Sequence, residues 1–215
     1  MKTYAIELEV SGQLAMYARP DTGASPISYP VPTWSAAKGL LESIAFLKHG
    51  EAWFHPTRTE VCRPRGAAGG KVTYQRYAFN YGGPLRKAVN VTAGTTMQVF
   101  ATVIANPCYR IHAEILGEAG GQRNARHYLK DLFERRIKQG RCFKTPALGW
   151  SEFTCDYWGP LRSDWEVDDA LNLEIPSMLS RMWDRALDGA YFSQFAQGAR
   201  VESGGLDYTV TMMKS

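Results

Sequence analysis

A chain of 215 residues and 24.0 kDa is long enough to bury a sizeable core, and it suits one domain with an appendage or two small domains sharing a core. Its four cysteines, Cys62, Cys108, Cys142 and Cys155, lie far apart with no C-x-x-C pair, which argues against a zinc ribbon or a secreted disulfide framework and fits a reducing cytoplasm. The net charge of +4 is unevenly spread: Gly121 to Lys144 carries eight basic residues against two acids, Arg58 to Lys87 seven against one, and Ser151 to Ala190 nine acids against three arginines.

In chain order, "MKTYAIELEV" alternates apolar and charged residues, so it reads as a first strand over about residues 3–10 and not as a signal peptide. No apolar run approaches a membrane span. A proline-punctuated loop leads to Thr33, an N-cap for a helix whose Ala37, Leu40, Leu41, Ile44 and Leu47 share a face until Gly50. "AWFHPTRTEVCRP" predicts a strand interrupted at Pro56, "GAAGG" a loop tip, and "KVTYQRYAFNY" a further strand. "TTMQVFATVI" and "CYRIHAEIL", joined by Ala105-Asn106-Pro107, predict a β-hairpin.

The second helix opens at Asn124, turns Ala125, Leu129, Leu132, Phe133 and Arg136 to one side and stops at Gly140. "CFKTPALGWSEFTCDYW" predicts another strand or hairpin, the acidic "DWEVDD" a solvated loop, "IPSMLSRMWDRALDG" a short helix and "LDYTVTMM" a last strand. The order implies an α+β fold: a ferredoxin-like or RRM-like N-terminal domain over residues 1–158, then a small, mostly antiparallel β subdomain over 159–215.

Two basic blocks on one chain suit a polyanion track, because each phosphate neutralised releases counterions. A solvated surface is the plainer alternative. The blocks supply Arg123, Lys130, Arg135, Arg141, Lys144 and Arg76 as RNA-backbone candidates, and Lys38 falls on the polar side of the first helix. Aromatics interleave with the second block, where Tyr74, Tyr77, Phe79 and Tyr81 suit either base stacking or ordinary core.

The sharpest local constellation is "RNARHYLKDLFERRIKQGRCF". With Asn124 as cap, Arg126 and His127 fall in the first helical turn, where free N–H groups favour a phosphate. A neutral imidazole there could take a proton from a ribose 2′-hydroxyl, with Arg126 and Lys130 holding the phosphate. A surface histidine on a basic helix explains the same residues without chemistry. His112 reads as a satisfied sheet residue, and His49 and His55 as flanking a turn. No metal site and no cofactor are expected: "DWEVDD" lacks EF-hand spacing, and "GAAGG" has no following Lys-Ser/Thr.

"SYPVPTWSAAKGLLESIAF" resembles the N-terminal segment of the Cas five proteins of CRISPR subtype I-C, the d type. "NARHYLKDLFERRIKQGRCFKTPALGWSEF" is similar to that family's Lys-His-Tyr run, basic helix and following hairpin, and "FSQFAQGARVESGGL" to its C-terminal end. The middle, about residues 64–98, diverges and lacks the family's Arg-Arg-Asn-Glu-Val element. The resemblance implies a cytoplasmic endoribonuclease that cuts the precursor crRNA repeat hairpin without metal, leaving a 2′,3′-cyclic phosphate. It also implies retention of the 5′ handle within the Cascade surveillance complex, beside the backbone and large subunits, with target DNA met indirectly.

By position the family's catalytic histidine falls on His127, its neighbouring lysine on Arg126, and its first-helix tyrosine on Ala45. Arginine keeps the cation but does not titrate. A different phenol, Tyr29 or Tyr128, is the alternative, so the catalytic candidates are His127, Arg126 and Tyr128. Two other readings stay open: a non-catalytic handle-binding subunit with another nuclease doing the processing, and an unrelated ferredoxin-like enzyme for a small molecule.

Overall fold

Ile6, Leu8 and Val10 bury one face of β1 (Ala5–Ser11), as their alternation requires. The fold comes from a computed structural model, of which residues 4–48, 51–81, 97–117, 124–183 and 191–208 are described. After β1 the chain turns into the two-residue β2 (Leu14–Ala15) and then into α1 (Trp34–Ile44). Thr33 caps α1, its Oγ1 accepting the Ala36 N–H at 3.2 Å, and Ala37, Leu40, Leu41 and Ile44 are buried.

The helix ends at Ala45, which is extended, five residues short of Gly50. A tertiary contact stops it: the N–H groups of Phe143 and Lys144 take the Ser43 carbonyl at 2.9 and 2.8 Å, and Arg136 donates to the Ile44 carbonyl.

β3 (Ala52–Pro64), β4 (Tyr74–Tyr81), β5 (Met97–Ala105) and β6 (Cys108–Gly117) follow. Pro56 is accommodated at a register shift between β3 and β6, where its carbonyl accepts the Trp34 indole N–H. The expected β5–β6 hairpin does not form. β5 pairs with β4 and β2, whereas β6 pairs with β1 and β3 in a different sheet. Asn106 adopts a left-handed conformation, φ 50°, and its N–H goes to the Gln13 carbonyl, so the chain crosses between sheets instead of folding back.

α2 (Ala125–Gln139) is bounded as expected, by Asn124 and by Gly140 at φ 62°. β7 (Tyr157–Gly159), β8 (Trp165–Val167), β9 (Leu173–Trp183), β10 (Tyr191–Glu202) and β11 (Gly205–Asp207) complete the chain. The large antiparallel sheet runs β7-β1-β6-β3-β11-β10-β9 with β8 on β3, and the small one runs β2-β5-β4. Of the segment expected to be a strand or hairpin, Tyr157 and Trp158 enter β7, and the part before them makes one isolated bridge, Ala147 to Thr154. α1 and α2 pack on the large sheet in a core with Leu8, Ile111, Phe54 and Leu206.

Two further expectations fail for tertiary reasons. The segment read as a helix from Ile175 is strand β9 as far as Trp183, paired along its length with β10; Pro176 is tolerated because β9 is an edge strand. "DWEVDD" is not a solvated loop: Asp168 is buried, and its carboxylate accepts the Gly70 N–H and faces Arg63, tying down the "GAAGG" loop. Among the described residues no helix is long and apolar enough to cross a membrane.

Candidate nucleic-acid interface

α2 is amphipathic in an unusual ratio, three buried residues (Ala125, Leu129, Phe133) under a long basic exterior. Phe133 meets Phe54 of β3 edge to face at 5.3 Å and so seats the helix on the sheet. Asn124 fixes the other end of the geometry. Its Oδ1 accepts the His127 N–H at 3.3 Å while its Nδ2 donates to the Tyr4 hydroxyl at 2.8 Å, tying the helix start to the beginning of β1.

His127 stands exposed on this first turn, with its Nε2 3.3 Å from Asp131 Oδ2 one turn further on. A carboxylate at that distance favours the proton of a neutral ring on Nε2 and so leaves Nδ1 as the acceptor. Asp131 is the site residue that sequence reasoning passed over, although the i,i+4 spacing was there to be read. Arg126 lies 5.4 Å over the Tyr4 ring, and its Nε has no hydrogen-bond partner among the described residues. Tyr128 is about half exposed beside them.

Lys130 is less free than its sequence suggests, since its ammonium donates to the Ala5 carbonyl at 2.7 Å and pairs with Glu134 at 3.2 Å. Arg135, Lys138, Arg141 and Lys144 are exposed toward the other end of the helix and its exit. Lys38 does not lie on a polar face as expected: it is buried, 5.5 Å over Trp34 and 3.7 Å from Glu42. Arg76 belongs to the small sheet, where it covers Phe100 at 4.4 Å, and is not gathered with α2. Arg123 and His49 lie outside the described residues.

The interleaved aromatics divide by face. Tyr77 and Phe79 pack on Trp150 and Phe153, while Tyr74 is exposed. Tyr29 cannot supply a surface phenol, because it is buried and its oxygen accepts the Leu179 N–H. His112 is the satisfied sheet residue expected, held between Glu60 and Glu7. The hydrogen bond it donates to Glu60 raises its pKa above the usual histidine value. His55 lies in β3, its ring 5.6 Å from that of Trp34.

The family described as "CRISPR-associated protein (Cas_Cas5)", in its Cas5d division, matches residues 5–186. The chain belongs to the Cas5d family. It is 31% identical over 175 residues to the "CRISPR pre-crRNA endoribonuclease Cas5d" of Thermus thermophilus, covering 81% of this chain and 71% of that protein. Its identity to the Mannheimia succiniciproducens protein of the same name is 31% over 165 residues, 71% of each. A solved structure titled "Crystal Structure of CRISPR-associated Protein" shares the fold, with a TM-score of 0.67 at 15% identity over 97% of this chain and 93% of that one.

In this Cas5d member Ala45, where the sequence resemblance puts a tyrosine, has no exposed surface. A side chain there points into the core. Phe46, the next residue, is exposed but carries no hydroxyl.

Proposed function

We propose that this Cas5d protein binds CRISPR repeat RNA along α2, cleaves the precursor transcript without a metal ion and keeps the 5′ handle as a Cascade subunit. Cytoplasmic location and contact with the backbone and large subunits, and through them with target DNA, belong to the same reading. The chain order β1-α1-β3-β6-α2-β7, with those four strands adjacent as β7-β1-β6-β3, supports an RRM-like domain over residues 1–158. On this reading residues 159–215 are the smaller subdomain, whose β8 and β11 both pair with β3.

The observation that carries the proposal is His127, exposed at the start of a basic helix with Asp131 engaging Nε2. Nδ1 removes the proton from a ribose 2′-hydroxyl, and the 2′-oxygen attacks the adjacent phosphorus. The 5′-oxygen leaves, giving a 2′,3′-cyclic phosphate and a 5′-hydroxyl. Arg126 and the free N–H groups of the helix start stabilise the charge that develops on the phosphate, with Lys130 adding to them when RNA displaces it from the Ala5 carbonyl. On this reading Tyr128 supplies the phenol that protonates the leaving oxygen.

A second reading is favoured by one observation, the burial of Ala45 where a catalytic phenol is expected. On that reading the protein binds the handle and another nuclease cuts. Repeat RNA incubated with purified protein in EDTA separates the two. Cleavage that His127→Ala abolishes while sparing binding is the expected result; uncut RNA with tight binding retained leaves the handle-binding subunit.

A further inference from the structure

Two phenylalanines meet in the open at the far end of α2. Phe143 is 64% and Phe46 39% exposed, and their rings stand edge to face with centroids 5.0 Å apart. Neither ring is on a loose loop. Phe143 donates its backbone N–H to the Ser43 carbonyl, Lys144 does the same, and Arg136 closes on the Ile44 carbonyl, so the segment leaving α2 is laced to the end of α1. The turn before it is set by Gly140 in the left-handed region and by the Arg141 N–H bonded to the Arg136 carbonyl at 2.9 Å.

Cations frame the pair. Arg141 and Lys144 flank Phe143, Lys48 lies two residues past Phe46, and all three are exposed. From Arg135 to Trp150 the sequence contains no acid. A rigid apolar face with exposed cations next to it in both chain segments is complementary to a nucleobase carrying its phosphates, and that charge disfavours a purely apolar occupant.

We infer that Phe143, supported by Phe46, is a stacking platform for an unpaired nucleobase of the bound RNA. The inference rests on the RNA-binding reading above and adds a subsite to it. An edge-to-face pair leaves a ring face open, and a base inside a duplex has no free face to offer, so the occupant is a single-stranded or terminal base. Fifteen helical residues, about 22 Å of rise, span α2 from the turn that bears His127 to this end. The platform therefore holds substrate remote from the chemistry and acts on binding more than on the chemical step.

The test is fluorescence anisotropy of labelled repeat RNA over a range of salt, with the full chain. Phe143→Ala should raise Kd about tenfold without changing the salt slope, Phe143→Trp should restore affinity, and Arg141→Ala should lower the slope by about one. Single-turnover cleavage at saturating RNA should be unaltered in Phe143→Ala. Wild-type protein that binds no repeat RNA would overturn the functional reading itself. Wild-type binding matched by Phe143→Ala would overturn the platform alone, as would a variant that binds RNA normally but no longer assembles with its partner subunits, which would make the pair a protein contact.

Discussion

Arg162 donates its Nε–H to Glu9, a carboxylate in the middle of β1 with no exposed surface. The backbone N–H of Arg162 and the Nε of Arg110 take the other oxygen, at 3.2 and 3.0 Å. Arg162 also covers the Tyr157 ring at 3.9 Å, so its ion pair with Glu9 fastens the segment after β7 to the sheet. Breaking it strands two guanidinium groups. Glu9→Ala should cost about 3–5 kcal/mol, read as a lower urea midpoint.

His112 gives the stability a pH dependence of known sign. Its pKa is raised, first by the Glu60 hydrogen bond, so its contribution is complete below about pH 6.5 and is lost as pH rises through the higher folded value. The partner works at the acid end: the pKa of Glu60 is lowered by the same bond, and its contribution fades as pH falls below about 4.3. Urea midpoints of wild type and His112→Asn should diverge most between those limits and converge toward high pH. Parallel profiles would show that the pair contributes nothing.

Asp131→Asn probes the orientation of His127. The amide keeps the shape but can present its nitrogen to Nε2, which disfavours the tautomer that leaves Nδ1 free. Single-turnover cleavage should fall about tenfold with RNA affinity nearly unchanged, whereas His127→Ala should lose the ~10²–10⁴-fold contribution of a general base. Equal losses in both affinity and rate for Asp131→Asn would count against an orienting role.

Restoring the family phenol should not help. Ala45 is fully buried, so Ala45→Tyr overpacks the core and should cost about 1–3 kcal/mol. Thermal melting and cleavage assays on that variant should show a lower Tm and no gain in rate.

Removing the cap of α2 tests how the site is held. Asn124→Ala deletes the acceptor for the His127 N–H and the donor to Tyr4, and should cost about 1 kcal/mol. Amide exchange should quicken first at His127 and its neighbours.

Local chemistry was legible and pairing was not. Thr33, Asn124 and Gly140 announce helix ends because each satisfies groups within a turn of itself. The end of α1 has no local signal, because its last carbonyls are taken by Phe143 and Lys144, a hundred residues on. Ile175 and Met178 suggest a helical period, yet β10 claims that segment as a strand, which no window of local sequence contains. Burial of Asp168 likewise depends on a partner, Arg63, whose position only the fold supplies. Of the site, the His127 helix could be read directly, Asp131 could have been, and the exposed Phe46–Phe143 pair follows from two chain segments meeting.

The crossing between sheets has a mechanical side. β1 passes to β2 and β5 passes to β6 at the same corner, where the Gly12 N–H bonds the Pro107 carbonyl and the Asn106 N–H bonds the Gln13 carbonyl. A Cβ at Gly12 would lie 2.8 Å from Leu148, so the corner is also wedged from outside. The two sheets are thus stitched side by side where both strands cross, and a side chain at Gly12 would press on Leu148 and the Thr154 carbonyl, prising that seam without touching a residue of α2.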